Sequence, residues 1–252
     1  MSFRVPRFAA MALRRTSVVI AMLAGCLVAA SASATPISLA TPAGLNPGDQ
    51  FRFVFVTASK IAADVSSDIE FYNSFVNTQA AGATYGGSTV SWKAIGSTAT
   101  VDARANVGGF GTSVPVYLVD GTRVADDLTD SSGGMWSGEL LTSIYLAIDG
   151  TTDESGNTVW TGSETDGRKS LDGDVLGSLE AIYGKKNMSD RDWVYDYILD
   201  TDYEARMYAM SETLTVGGAS PVPEIDPAGM GSVLALVTGA LGLLERRRLK
   251  AA

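Results

Sequence analysis

Histidine is missing from all 252 residues, and Cys26 is the only cysteine. No disulfide can form within the chain. Neither a His-based zinc site, a Ser-His triad nor a Cys-His dyad can be built, which removes most enzyme classes. Positive charge is scarce where it would matter. Four of the 19 Lys and Arg lie in residues 1–34 and four after residue 220, whereas only three of the 28 Asp and Glu lie in those ends, so the central part carries about −14. A surface of that sign repels nucleic acid and anionic polysaccharide, and it favours solubility or divalent cations. No internal repeat is present.

Both ends are apolar and basic. Arg4, Arg7, Arg14 and Arg15 precede an apolar run from Thr16 to Ala30, and Ala32-Ser33-Ala34 supplies small residues for cleavage before Thr35. Residues 1–34 therefore read as an export signal, with Ala32 and Ala34 at its cleavage site. Within it Leu23-Ala24-Gly25-Cys26 resembles a bacterial lipoprotein box, a rival reading in which Cys26 carries lipid.

At the other end Val222-Pro223-Glu224-Ile225-Asp226-Pro227 is followed by 17 uncharged residues, 228–244, and then by Arg246, Arg247 and Arg248. As a helix that run would reach roughly 25 Å, close to a hydrocarbon core. The arginines would hold its end in the cytoplasm. Prolines on either side of Glu224-Ile225-Asp226 force extended backbone ahead of the helix. The order and spacing over residues 222–249 resemble the PEP-CTERM sorting signal. That resemblance implies a transmembrane helix at 228–244 and processing by an exosortase-type enzyme. The signature departs from Pro-Glu-Pro, reading Pro-Glu-Ile-Asp-Pro. An ordinary tail anchor is the competing reading; a core helix would have to bury the arginine triplet or let it snorkel.

Between these ends lie a lead-in and first strand (35–63), a body (64–216) and a linker (217–221). Phe51 to Thr57 alternates as a strand, with Phe51, Phe53 and Phe55 on one face and Val54 and Val56 on the other, so both faces should be covered. Ser66-Ser67-Asp68 caps a helix predicted over Ser67 to Ala81. Further strands are predicted at Ser91–Ser97, Val114–Val119, Ser143–Ile148 and Arg206–Val216, with a helical turn within Thr98–Arg104. Short strands, one main helix and long loops indicate an α+β class.

The succession Trp92-Lys93-Ala94, Val114-Pro115-Val116, Asp120-Gly121-Thr122, Trp136-Ser137-Gly138, Val159-Trp160-Thr161-Gly162-Ser163, Asp166-Gly167-Arg168 and Met207 to Glu212 resembles the endostatin-like branch of the C-type-lectin-like family. That resemblance implies an endostatin-like fold over 64–216. The family's disulfides, zinc site and heparin-binding surface cannot carry over to a chain without their residues.

Calcium is the one metal the composition admits. Asp149, Asp153, Glu154 and Asn157 are close enough to share it, and Asp166, Asp172 and Asp174 form a second group. Neither has EF-hand spacing, acidic glycine-rich loops are commonly solvated turns, and no metal site is assigned. Trp92, Trp136, Trp160 and Trp193 would make a sugar-stacking platform if exposed, and core pegs if not. Trp136, Trp160, Asp149 and Asp153 are the candidate ligand-binding residues. No carboxylate pair stands out for glycoside hydrolysis, so no catalytic residue and no cofactor are expected. The chain reads as an exported protein of the cell surface or extracellular matrix, with a binding or structural role, not an enzyme. Its expected partners are the membrane, a sorting enzyme and exopolysaccharide or other glycans; the alternative reading is a glycan-binding module that uses the tryptophans, with or without calcium.

Overall fold

A computed structural model describes residues 36–217, with the exception of residue 153. The elements in chain order are β1 (Ile37–Leu39), β2 (Gln50–Val56), β3 (Ile61–Ala62), α1 (Ile69–Gln79), β4 (Ala83–Tyr85), β5 (Ser88–Thr89) and β6 (Trp92–Ile95). After these come α2 (Ala103–Val107), β7 (Val116–Leu118), β8 (Arg123–Ala125), β9 (Thr158–Trp160) and β10 (Glu180–Lys185). A 3-10 turn at Arg191–Trp193 leads to β11 (Tyr197–Asp200), β12 (Glu204–Ser211) and β13 (Leu214–Thr215).

The expected α+β, endostatin-like arrangement is overturned. Among the described residues strand outweighs helix by 32% to 10%, and ten strands share one sheet in the order β11-β10-β9-β12-β2-β7-β8, with β3 and β6 also on β12 and β13 on β2. The sequence undercounts strand because most of these strands are only two to four residues long. So short a run cannot display alternation. Among the described residues no helix is long and apolar enough to cross a membrane. The expected transmembrane run 228–244 lies outside them, as does the expected signal.

The sheet is organised on β12. Its Tyr208 to Met210 pair with Val56 to Val54 of β2 on one side and with Ile95 to Lys93 of β6 on the other. Further along, Arg206 and Met207 run parallel to Val159 and Trp160 of β9. The side-chain period of two then sorts the core. Phe51, Phe53, Phe55, Trp92, Trp160, Met207 and Ala209 bury one face with Tyr72 and Val76 of α1. Val54, Val56, Val116, Leu118, Tyr208 and Met210 bury the other. Both faces of β2 are covered, as its alternation predicts.

Helix α1 starts where the acidic cap places it: Asp68 is the N-cap and accepts from the Glu70 backbone N–H at 3.0 Å. The predicted helical turn is displaced to α2. The strand expected at Ser143–Ile148 is irregular chain with a single bridge, Leu146 to Thr152, yet Ile144, Leu146 and Ile148 are buried. Its alternation reports burial without a ladder.

Candidate functional site

None of the tryptophans can stack on a ligand. Trp136 and Trp160 are 1% and 0% exposed, and Trp92 and Trp193 are equally buried. They peg the two cores: Trp92 and Trp160 on the α1 face, Trp136 and Trp193 on the other with ring centroids 6.4 Å apart. Asp149 serves its own turn. Its Oδ1 accepts from the Thr151 hydroxyl at 2.6 Å and the Thr151 N–H at 3.0 Å, and those bonds hold its pKa low. Asp153 lies outside the described residues. In the second acidic loop Glu164 has a raised pKa, first through burial and then through Asp166, Asp172 and Asp174. Among the described residues no three His, Cys, Asp or Glu are grouped to hold a metal. The sorting residues 222–227 and 246–248, and Ala32 and Ala34, are also outside them.

A different place gathers polar groups. At the start of β2 a groove of about 790 Å³ opens between three loops, within the roughly 300–1,000 Å³ usual for ligand pockets. Asp49 and Gln50 form its first wall. They are placed by a tight turn in which the Asn46 N–H donates to Asp49 Oδ2 at 2.7 Å and Gly48 adopts φ 94°. That turn is tied to the residue after β13 by Gly48 N–H to Val216 C=O and Val216 N–H to Asp49 C=O.

Loop 109–115 makes the second wall. Thr112 donates to the Gly109 carbonyl through its hydroxyl at 2.6 Å and its N–H at 3.1 Å. Gly111 and Thr112 exchange backbone bonds with Leu128, so the loop is fixed at its tip. The third wall is Arg123 with Asp126, an ion pair of 3.0 Å.

No family model matches this chain. Nor does any curated protein match its sequence. The reading of the groove therefore rests on its own chemistry.

Arg52 is not part of the lining but packs behind it, against Gly109 and Thr213. It is 6% exposed, and it sits on the Val54 face of β2 between Val107 and Met210. The sequence did hold the signal. A strand whose two faces are both covered must bury any arginine it contains. Burial lowers the Arg52 pKa, with no carboxylate acting against it. A guanidinium in a protein nonetheless stays protonated at neutral pH.

Proposed function

We propose that the chain is exported by its N-terminal signal, sorted or anchored through residues 222–249, and works at the cell surface or in the extracellular matrix in a non-catalytic binding role. The observation that carries this is the order of features at the two ends: a basic, apolar, small-residue leader, and a tail of Val222 to Pro227, an apolar run and Arg246 to Arg248. An acidic body without histidine lies between them. The groove supports binding over turnover. The Thr112 hydroxyl is committed to a carbonyl, Asp49 is bonded within its own turn, and Asp126 is paired with Arg123 at 3.0 Å. The partners proposed are the membrane, an exosortase-type enzyme and exopolysaccharide. Glycan recognition, in this reading, belongs to the groove and not to the buried tryptophans.

Intact-mass measurement of the protein from its native host is the test. A species that begins at Thr35 and ends near Pro223-Glu224-Ile225-Asp226-Pro227 is the expected result. Acylation at Cys26 would replace sorting with a lipoprotein. Recovery of the unprocessed 252-residue chain from the cytosol would end the proposal.

A further inference from the structure

The two ends of the large sheet are finished differently. At β8 the edge is used: the Val124 carbonyl accepts from the Leu141 N–H and the Asp126 N–H donates to the Gly133 carbonyl, both at 2.8 Å. At β11 it is open. Its register on β10 sets Ile198 opposite Ile182, whose N–H donates to the Asp174 carbonyl and whose carbonyl accepts from the Thr161 and Gly162 N–H groups. Ile182 and Ile198 are therefore a non-hydrogen-bonded pair, and the Ile198 N–H and carbonyl point away from β10. The bond from Thr201 N–H to the Leu179 carbonyl at 3.2 Å, three residues on, has the same phase. Among the described residues no strand lies on the open side. The devices that commonly blunt an edge, lysine, proline or a bulge, are missing from Tyr197-Ile198-Leu199-Asp200.

What the two faces of this edge carry decides the partner. By the period of two, Ile198 and Asp200 project on one face and Tyr197 and Leu199 on the other. Asp200 stands directly opposite Glu180, and with Asp174 they line one hollow of about 430 Å³. Like charges directly opposite one another destabilise a sheet. Neither Glu180 nor Asp200 has a salt bridge among the described residues, and no lysine or arginine lines the hollow. On the other face Tyr197 is 71% exposed, and Leu199 is only partly buried against the α1-side core.

We propose that β11 is a docking edge for an extended peptide in which basic and apolar residues alternate. The peptide backbone pairs with the Ile198 N–H and carbonyl and with the Asp200 N–H; the Asp200 carbonyl is already taken by the Tyr203 N–H at 3.3 Å. Its basic side chains lie over Glu180 and Asp200, and its apolar ones over Tyr197 and Leu199. A second copy of this chain is a poor occupant. The body carries about −14, and a two-fold antiparallel pairing centred on Ile198 would set Asp196 against the second copy's Asp200. An acidic peptide meets the same repulsion. The edge shares no residue with the groove at β2, and the proposal is independent of export and sorting.

The full-length chain, purified in a non-ionic detergent, would be titrated calorimetrically with the peptide acetyl-Lys-Val-Lys-Val-Lys-Val-Lys-amide. Its glutamate counterpart and a form methylated at every peptide nitrogen are the comparisons, each run against a micelle blank. The lysine peptide should bind about tenfold more tightly than either, since one lacks the charge and the other the backbone donors. Ile198→Pro removes an N–H that faces solvent, a change an edge strand tolerates. It should cost the lysine peptide about tenfold in affinity while near-ultraviolet circular dichroism stays native. Should that variant misfold, Glu180→Gln with Asp200→Asn is the second arm, both side chains being exposed. It should weaken the lysine peptide about fivefold with the fold intact, and an unchanged affinity would overturn the part given to these carboxylates. Binding that survives both N-methylation and Ile198→Pro is attraction to the acidic body alone and overturns strand addition. Equal affinity for the glutamate peptide overturns the basic partner. A dimer of the chain by itself, seen in sedimentation and dissolved by Ile198→Pro, gives the edge to a second copy instead. If no peptide binds, the docking edge is refuted, while the export and sorting proposal still stands or falls by mass alone.

Discussion

On one face of the central sheet lies α1, an eleven-residue helix that sets Ile69, Tyr72 and Val76 onto Phe51, Phe55 and Trp92. On the other face, among the described residues, no helix longer than the five residues of α2 is available, and Leu128, Met135, Trp136, Leu140 and Ile144 arrive from irregular chain. Both faces are nonetheless sealed: Trp92 and Trp136 are each 1% exposed. The difference is in how the covering is held. The helix satisfies its own backbone and brings a ready-made stripe. The loops must approach the sheet through glycine. A Cβ on Gly167 would overlap the Trp136 ring, and one on Gly184 would overlap the Trp193 carbonyl. Burial is thus no guide to regularity here, and Arg52, a buried cation with no salt bridge among the described residues, lies on the irregular side.

The comparison breaks if the loop-covered face is loosely packed. Trp136→Ala should cost about 3–5 kcal/mol of unfolding free energy, and Trp92→Ala on the helix face a like amount. Denaturant unfolding of both variants measures it. A cost for Trp136→Ala below about 1.5 kcal/mol would mean that the loops give way around the missing ring, and that only the helix face is a packed core.

The same contrast separates what could be read in the sequence from what could not. Strand β2 and helix α1 were legible because each is long enough to show its own period, and Asp68 marks the helix start by chemistry. The class was misread for the reverse reason. Strands such as β3 and β13 have two residues each and owe their existence to β12 and its neighbour β2, a fact of pairing that no local pattern contains. Ser143 to Ile148 shows the opposite error, an alternation that packs apolar side chains without forming a strand. For the tryptophans, composition alone does not choose between platform and peg. Arg52 was within reach, since an arginine between Phe51 and Phe53 in a doubly covered strand has to be buried. Gly109 and Thr213 as its neighbours were not, being 57 and 161 residues away in sequence.

The helix face can be sharpened through the way α1 is fastened. Strand β6 pairs with β12 along one edge, and side-chain amides take its other edge. Asn77 accepts from the Trp92 N–H at 3.0 Å and donates to the Trp92 carbonyl at 2.6 Å. Asn73 Oδ1 accepts from the Ala94 N–H at 2.8 Å, and Asn106 of α2 donates to the Ala94 carbonyl at 2.7 Å. The amides thus stand in for a neighbouring strand. Asn73 is 2% exposed, so Asn73→Ala strands the Ala94 N–H and removes both side-chain bonds to Asn106. The expected loss is about 2–3 kcal/mol. Amide hydrogen exchange should quicken in α1 and β6 while residues 135–146 keep their protection. Equal quickening on both sides would show that the two faces are one cooperative unit.

The smallest effect lies at the exposed end of the same join, where Lys93 of β6 meets Glu70 of α1 at 3.0 Å. The Lys93 hydrogen bond is the first cause of the lowered Glu70 pKa. A carboxyl whose pKa is lower in the folded state adds stability above its unfolded pKa of about 4.3, and that contribution is lost as pH falls through the lower, folded value. Both side chains are well exposed, at 43% and 65%, so solvent screening keeps the gain small. Glu70→Gln should therefore cost no more than about 0.5 kcal/mol at pH 7, with the gap to wild type narrowing as pH falls below the unfolded pKa of about 4.3. Glu70 also lies in the first turn of α1, where any negative charge is favoured by the helix dipole. Lys93→Met separates the two causes. If Glu70→Gln costs as much in that background as in wild type, the effect is carried by the dipole and by the Asn73 hydrogen bond that also lowers the Glu70 pKa, and α1 is fastened to β6 by its buried asparagines with no help from the ion pair.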